Sequence, residues 1–143
     1  MQFDLDRFIT AQATLYPRAL QELREGRKQS HWMWFIFPQL AGLGRSETAR
    51  FYALSGKAEA QAYRQHPLLD SRLVEATRAM LGHSSKSAFA ILGSPDDLKF
   101  CSCMTLFAAI SEKGSPFERA LEQFCDGKPD QTTLGLLADQ SVP

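Results

Sequence analysis

The chain has 143 residues, of which 44% are hydrophobic, so it has the length of one domain and enough apolar side chains for a core. Its 16 Lys and Arg balance its 16 Asp and Glu, and the formal net charge is zero. This balance disfavours binding along extended DNA or RNA, which requires a surplus of cationic side chains. No apolar run approaches the roughly 18 to 20 residues that a membrane span needs, so we expect a cytoplasmic protein with no membrane partner.

Helical spacing of apolar residues predicts two helices in the first part of the chain, over 3–12 and 16–25. Pro17 is compatible with the first turn of the second helix, and Gly26 is expected to end it as a C-terminal cap. Further helices are predicted at 47–54 and 57–65, from Pro67 to just before Gly82, at 87–92, at 98–110, after Ser115 and at 131–139.

Two tetrapeptides share a helix-start pattern of Ser, then Pro at the first helical position, then an acid. They are Ser94-Pro95-Asp96-Asp97 and Ser115-Pro116-Phe117-Glu118, and the acid two residues after Pro is expected to complete a capping box. Alternating Val, Ile and Thr patterns typical of strands are missing. The sequence therefore predicts a mainly α, compact, single-domain multi-helix fold over 1–143, with a disordered C-terminal tail from about 139 to 143.

The stretch from His31 to Gln39 contains both tryptophans and has no polar face at either the helical or the strand period. If it is a strand, the class becomes α+β with one short buried strand. One interpretation makes this aromatic run the central core element. The other makes Trp32 and Trp34 a stacking wall for a planar base, with His31 and Gln39 offering hydrogen bonds at its two ends.

The predicted helix at 98–110 is apolar nearly all round, yet Lys99, Ser102 and Thr105 follow one another at three-residue spacing on a single stripe. In one interpretation Lys99 extends to solvent while the two hydroxyls bond back to helix carbonyls. In the other the stripe is a pocket wall, where Lys99 acts as a phosphate donor, an acid or base, or a nucleophile. The second interpretation predicts that Lys99 matters more to function than to folding.

The three cysteines are too few for a disulfide framework, and Cys101 and Cys103 would point about 200° apart on a helix. With Cys125 predicted to lie on a different helix, no metal-ligand set forms. We therefore expect three free thiols, no metal and no cofactor.

The order of motifs resembles that of the bacterial family called domain of unknown function 1810 (DUF1810). The motifs are GRKQSHWMWFIFPQ at 26–39, Gly42-Leu43-Gly44, EAQAYRQHP at 59–67, Arg72-Leu73, DLKFCSCMTLF at 97–107, and the segment 124–137. This resemblance implies a mainly helical fold and a link to the NADAR or YbiA-like superfamily, with N-glycosidic bond cleavage on NAD-related or ADP-ribose-related nucleotides. This chain has Cys103 where the family usually has Ser, and Asp70 where it usually has Gly. The first departure counts against Cys103 as a nucleophile.

Residues and resemblance together lead to the hypothesis of a binding protein or hydrolase for an ADP-ribose-like nucleotide. The expected ligand-binding residues are Lys28, His31, Trp32, Trp34, Gln39, Ser102 and Thr105. The expected catalytic residues are Lys99, Glu59 and Asp97, since a carboxylate can stabilise an oxocarbenium-like ribose and activate water.

Both acids have a structural interpretation as well: Asp97 as the capping-box partner of Ser94, and Glu59 as a solvated residue on a helix. Two other classes of function fit the sequence. One is a non-catalytic module that binds a protein partner in a groove. The other is a structural domain whose partner is a second copy of itself, paired through the apolar helix at 98–110.

Overall fold

A computed structural model describes residues 3–140, and in this part of the chain the backbone is 66% helical with no sheet. The helices are α1 (Asp6–Glu25), α2 (Met33–Ile36), α3 (Glu47–Tyr52), α4 (Lys57–Gln65), α5 (Pro67–Leu81), α6 (Ala88–Leu92), α7 (Asp96–Ala109), α8 (Pro116–Phe124) and α9 (Gln131–Gln140). The predicted mainly α fold is confirmed. Within residues 3–140, no helix is both long and apolar enough to span a membrane.

Helix α7 lies at the centre of the core, and the buried apolar side chains of the molecule form one cluster around it. It packs against α6, α8 and α9, while α5 packs against α1 and α8. Ring contacts join α7 to α8, with centroids 5.6 Å apart for Phe107 and Phe117 and 5.8 Å apart for Phe100 and Phe124. Such aromatic pairs add to the stabilisation from apolar burial.

Helix α1 is one continuous helix of 20 residues, so the prediction of two helices before Gly26 is wrong. Pro17 lies inside it, where it removes one backbone hydrogen bond. The helix continues because Tyr16, Ala19 and Leu20 on either side of Pro17 are buried in the core. Gly26 caps α1 as predicted, with a φ of 77° that glycine adopts without steric cost.

The predicted cap at Ser115 is confirmed, and Ser46 and Ser87 cap α3 and α6 in the same way. Each hydroxyl accepts a hydrogen bond from the N–H of the third residue along. Ser94 does not cap α7. The helix begins at Asp96 with Pro95 at the N-cap position, one residue later than the pattern predicts, so Ser94 stands outside the capping position.

The aromatic run forms the single helical turn α2, and the alternative of a short buried strand is wrong. Among residues 3–140 the nearest feature to a strand is one isolated bridge between Leu40 and Leu54. Trp32 and Phe37 are 0% and 1% exposed, so the run is a core element, as the first interpretation has it. The rings are buried without a strand because α1, α3 and α5 pack around this short helical turn.

A buried carboxylate fixes the chain between α1 and the aromatic run. Glu22, 4% exposed, accepts hydrogen bonds from the backbone N–H of Gln29 (2.8 Å) and Ser30 (2.9 Å). It also accepts from the Ser30 hydroxyl (2.7 Å) and the Trp32 indole N–H (2.9 Å), and its Oε2 lies 3.3 Å from Arg18 Nε. Burial by itself raises the pKa of Glu22, but these hydrogen bonds outweigh it and lower the pKa to about 2.

The disordered tail predicted from residue 139 is wrong for its first two residues, because α9 continues through Asp139 to Gln140. The remaining residues of that prediction, 141–143, lie outside the described part of the chain.

We expect Glu22→Gln to lower the free energy of unfolding by about 2 to 3 kcal/mol, because hydrogen bonds to a buried charged group are worth roughly 1.5–3 kcal/mol. In this variant the side-chain amide also places an N–H group opposite the donors of residues 29–32, which need an acceptor. Urea unfolding followed by circular dichroism measures the loss. Glu25→Gln, on the exposed side of the same helix turn, is the matched control and should shift stability by less than about 0.5 kcal/mol.

The contribution of Glu22 should depend on pH in a defined direction. Its folded pKa of about 2 lies below the ordinary value of 4.5, so the unfolded chain binds the proton more readily. The stabilisation is therefore complete above the ordinary value and disappears as the pH falls towards 2. The stability difference between wild type and Glu22→Gln should shrink between pH 5 and pH 2, and a constant difference over this range would refute the assignment.

Candidate functional site

A groove with a volume of about 630 Å³ opens beside the first half of α7. Its walls come from the start of α6 (87–89), from α7 (97–98 and 101–102), and from the chain between the end of α8 and the start of α9 (124–126 and 128–132). We call it the α7 groove. Its volume falls within the roughly 300–1,000 Å³ typical of small-molecule sites.

The lining of the α7 groove combines exposed apolar side chains with charged ones. Phe89 and Leu98 line it with 61% and 66% of their surface exposed, the highest values among the large apolar side chains described. The charged lining residues are Asp97, Asp126, Asp130 and Lys128. Exposed apolar side chains beside carboxylates and one ammonium group can bind a small ligand that has a flat apolar face and polar hydroxyls.

The floor of the groove is a hydrogen-bond network that docks α9 onto α7. The Ser102 hydroxyl lies 3.2 Å from both the Leu98 carbonyl and Asp130 Oδ2, and the Thr105 hydroxyl donates to the Cys101 carbonyl at 2.8 Å. The interpretation that the two hydroxyls bond back to helix carbonyls is confirmed. Thr105 is 1% exposed, so it has no surface for the ligand that the sequence assigned to it.

Asp130 is the centre of that network and the N-terminal cap of α9. Its backbone N–H donates to the Thr105 hydroxyl at 2.8 Å, and its Oδ2 accepts from the N–H and hydroxyl of Thr133 at 3.1 and 2.5 Å. This role of Asp130 was not predicted from the sequence. The signal was an Asp directly before a predicted helix with a Thr three residues later, the spacing of a helix cap.

Two of the three cysteines are not free thiols, which corrects the prediction. Cys101 and Cys125 form a disulfide with Cα atoms 6.1 Å apart, while Cys103 is a buried free thiol. Packing of α8 on α7 brings the residue that ends α8 next to the middle of α7, although the two cysteines are 24 positions apart. Burial raises the pKa of Cys103, which keeps this thiol protonated.

Three predicted residues, Lys28, Trp34 and Lys99, meet at the first turn of α7 together with Asp96, which was not predicted. We call these four residues the lysine–tryptophan cluster. Asp96 is 3.1 Å from Lys28 Nζ and 3.6 Å from Lys99 Nζ. The Lys99 ammonium also lies 5.8 Å from the ring centroid of Trp34. Both ammonium groups are thus paired with protein groups, and neither lysine lines the α7 groove.

Trp32 cannot form the predicted stacking wall, because it is fully buried and its indole N–H donates to Glu22. Trp34 is half-buried and shares a small cavity of about 10 Å³ with Gln39, which holds no base. His31 is exposed ahead of the run. The structure therefore places Trp34 next to Lys99 and Gln39. Trp32 and Trp34 do not face one common ligand site.

The two predicted acids lie in different places. Glu59 is buried, which corrects its interpretation as a solvated residue; its Oε2 pairs with Arg7 at 3.0 Å and its Oε1 accepts from the Ser55 N–H at 2.7 Å. It does not line the groove. Asp97 does line the groove, and its Oδ1 accepts from the N–H of Leu98 at 2.9 Å instead of completing a capping box with Ser94.

Among the residues that the structure describes, no group of three or more His, Cys, Asp or Glu side chains is arranged to hold a metal ion. The α7 groove offers a ligand its own carboxylates, Lys128, hydroxyls and exposed apolar side chains.

The family model described as "Protein of unknown function (DUF1810)" matches residues 2–137. A crystal structure of a conserved hypothetical protein from Mycobacterium tuberculosis is similar to this chain at 49% identity, with a TM-score of 0.93 over 95% of this chain and 97% of that one. None of the curated proteins compared with the chain is significantly similar to it.

We expect Asp130→Ala to lower the free energy of unfolding by about 1–2 kcal/mol, because the variant loses the cap of α9 and leaves the buried Thr133 hydroxyl without its acceptor. Hydrogen exchange should rise in the first turn of α9. Gln131→Ala, at the exposed neighbouring position, is the matched control and should leave exchange unchanged. Equal protection in both variants would show that Asp130 does not hold this helix.

Proposed function

Because the chain belongs to the DUF1810 family of proteins of unknown function, we propose its function from the α7 groove: the protein binds a small nucleotide of the ADP-ribose or NAD class there and hydrolyses its N-glycosidic bond. The same chemistry is implied by the distant link that we propose between this family and the NADAR or YbiA-like superfamily. We further propose that this activity is cytoplasmic, where such nucleotides are abundant.

One observation carries the proposal: the groove combines the Asp97 carboxylate with the exposed side chains of Phe89 and Leu98 in about 630 Å³. A purine or nicotinamide ring would lie against Phe89 and Leu98, since aromatic and aliphatic surfaces favour flat rings. Lys128 would face the phosphates as the cation of the groove. Asp97 would then face the ribose.

The reaction is a substitution at the anomeric carbon of ribose, in which water replaces the base. The carbon–nitrogen bond breaks, the base leaves with the electron pair of that bond, and the ribose becomes oxocarbenium-like. Nicotinamide leaves NAD as a neutral molecule, whereas adenine takes up a proton as it leaves ADP-ribose. The Asp97 carboxylate would stabilise that positive charge and accept a proton from the attacking water. We assign Ser102 no role in the reaction, because its hydroxyl already lies within hydrogen-bond distance of the Leu98 carbonyl and of Asp130 Oδ2.

Calorimetric titration with ADP-ribose and with NAD, together with chromatography for the released base, tests the proposal. Phe89→Ala should weaken binding about tenfold, since an aromatic contact contributes about 0.5–1.5 kcal/mol beyond its buried area. Asp97→Asn should keep most of the affinity and lower turnover by about 10²-fold or more, the range for loss of a general acid or base.

Lys99→Met and Trp34→Leu are the comparison variants, because both positions lie in the lysine–tryptophan cluster and outside the groove. If they lose binding while the groove variants keep it, the nucleotide site is the cluster, as the sequence hypothesis had it. If wild-type protein binds neither nucleotide at millimolar concentration, the nucleotide proposal is wrong. The remaining classes are then a protein-interaction module or a homodimer.

A further inference from the structure

The disulfide between Cys101 and Cys125 lies in the wall of the α7 groove, where both residues are partly exposed. A thiol in solution can therefore reach its sulfur atoms, and access is one of the factors that decide whether a disulfide exchanges. Cys103, by contrast, is 0% exposed and points to the other side of α7, so it takes no part in the exchange.

The packing of α8 on α7 rests on several contacts besides this bond. Phe117, Ala120 and Leu121 of α8 are buried in the core, and two ring pairs link the helices, Phe107 with Phe117 and Phe100 with Phe124. Opening the disulfide would leave these contacts in place. Its effect should therefore be confined to the chain that follows α8.

The segment 125–130 is that chain, and it is attached to α7 at its two ends. The disulfide holds the first end, and the hydrogen bonds of Asp130 to Ser102 and Thr105 hold the second. The segment also has backbone hydrogen bonds of its own, from the Gly127 N–H to the Leu121 carbonyl and from the Lys128 N–H to the Cys125 carbonyl, both at 2.9 Å. Between them Asp126 and Gly127 have φ values of 56° and 68°, so an ordinary L-residue stands in the left-handed region beside a glycine. The middle of the segment, 126–128, is exposed.

We propose that Cys101 and Cys125 are a reversible redox site whose state sets the conformation of segment 125–130. With the disulfide closed, the segment is a fixed wall of the α7 groove. With the dithiol open, one attachment is lost and the segment moves while the helices stay packed. This proposal does not depend on which ligand the groove binds.

The reaction partner is a dithiol reductant, or in the opposite direction a small-molecule disulfide. A thiolate of the reductant attacks one sulfur of the Cys101–Cys125 bond and forms a mixed disulfide, and the other cysteine leaves as a thiolate and takes up a proton. The second thiol of the reductant then attacks the mixed disulfide. Two electrons and two protons pass to the cysteine pair, and the reductant leaves as its own disulfide.

Thiol labelling of the full chain measures the state of this site. Protein treated with oxidised glutathione should take up no iodoacetamide under native conditions, since Cys103 is buried and the other two cysteines are bonded. Protein treated with dithiothreitol should take up two labels, on Cys101 and Cys125. Labelling of both residues after oxidation would show that the bond does not form and would overturn the proposal.

Hydrogen exchange on the same two samples tests the consequence for the segment. On reduction, the amides of 126–128 should exchange about tenfold faster while α7 and α8 keep their protection, as expected for a local opening. Equal exchange rates in the two states would show that the disulfide does not affect the conformation of the segment. Faster exchange throughout α7 and α8 would show that the packing of these helices requires the disulfide. Either result contradicts the proposal.

Two variants complete the experiment. Cys125→Ser should show the fast exchange of the reduced state with and without dithiothreitol, whereas Cys103→Ala should respond to dithiothreitol as the wild type does. If Cys125→Ser fails to fold, the packing of α8 depends on the disulfide, and the inference is wrong.

Discussion

The carboxylate of Glu22 lies where α1 ends and the chain turns towards its most apolar segment. It accepts two backbone and two side-chain hydrogen bonds from residues 29–32, all within 2.9 Å. A buried acid is costly unless its oxygens are satisfied, and here each donor comes from the loop that must be positioned. The interaction that satisfies Glu22 is therefore the same one that orients Trp32 into the core, and the remaining helices pack around the turn that follows.

Enclosing the aromatic run decides where ligand chemistry can occur. Trp32 is buried. The ammonium groups of Lys28 and Lys99 are each paired with one carboxylate oxygen of Asp96. The open concavity lies instead on the neighbouring face of α7, where Phe89 and Leu98 remain exposed. The polar stripe predicted on α7 is thus divided: Lys99 pairs with the lysine–tryptophan cluster, while Ser102 and Thr105 hold the start of α9.

One stretch of chain connects the proposed ligand site and the proposed redox site. Segment 125–130 supplies two carboxylates and a lysine to the groove, and its attachments at both ends are made to neighbouring residues of α7. The covalent attachment can open with a change in redox state, whereas the hydrogen bonds of Asp130 cannot. A groove whose one wall is held in this way can be adjusted without disturbing the aromatic contacts between α7 and α8.

Local sequence determined the features that depend on a few neighbouring residues: the helical class, the start of α4, α5 and α8, the caps at Ser46, Ser87 and Ser115, and the left-handed Gly26. These follow from spacing, caps and φ preferences within one or two turns. Tertiary structure decided that α1 runs through Pro17, that Cys101 meets Cys125, that Glu59 is buried against Arg7, and that Trp32 and Lys99 do not line one pocket. Each of these depends on which surfaces meet across 24 or more residues, and no local pattern carries that information.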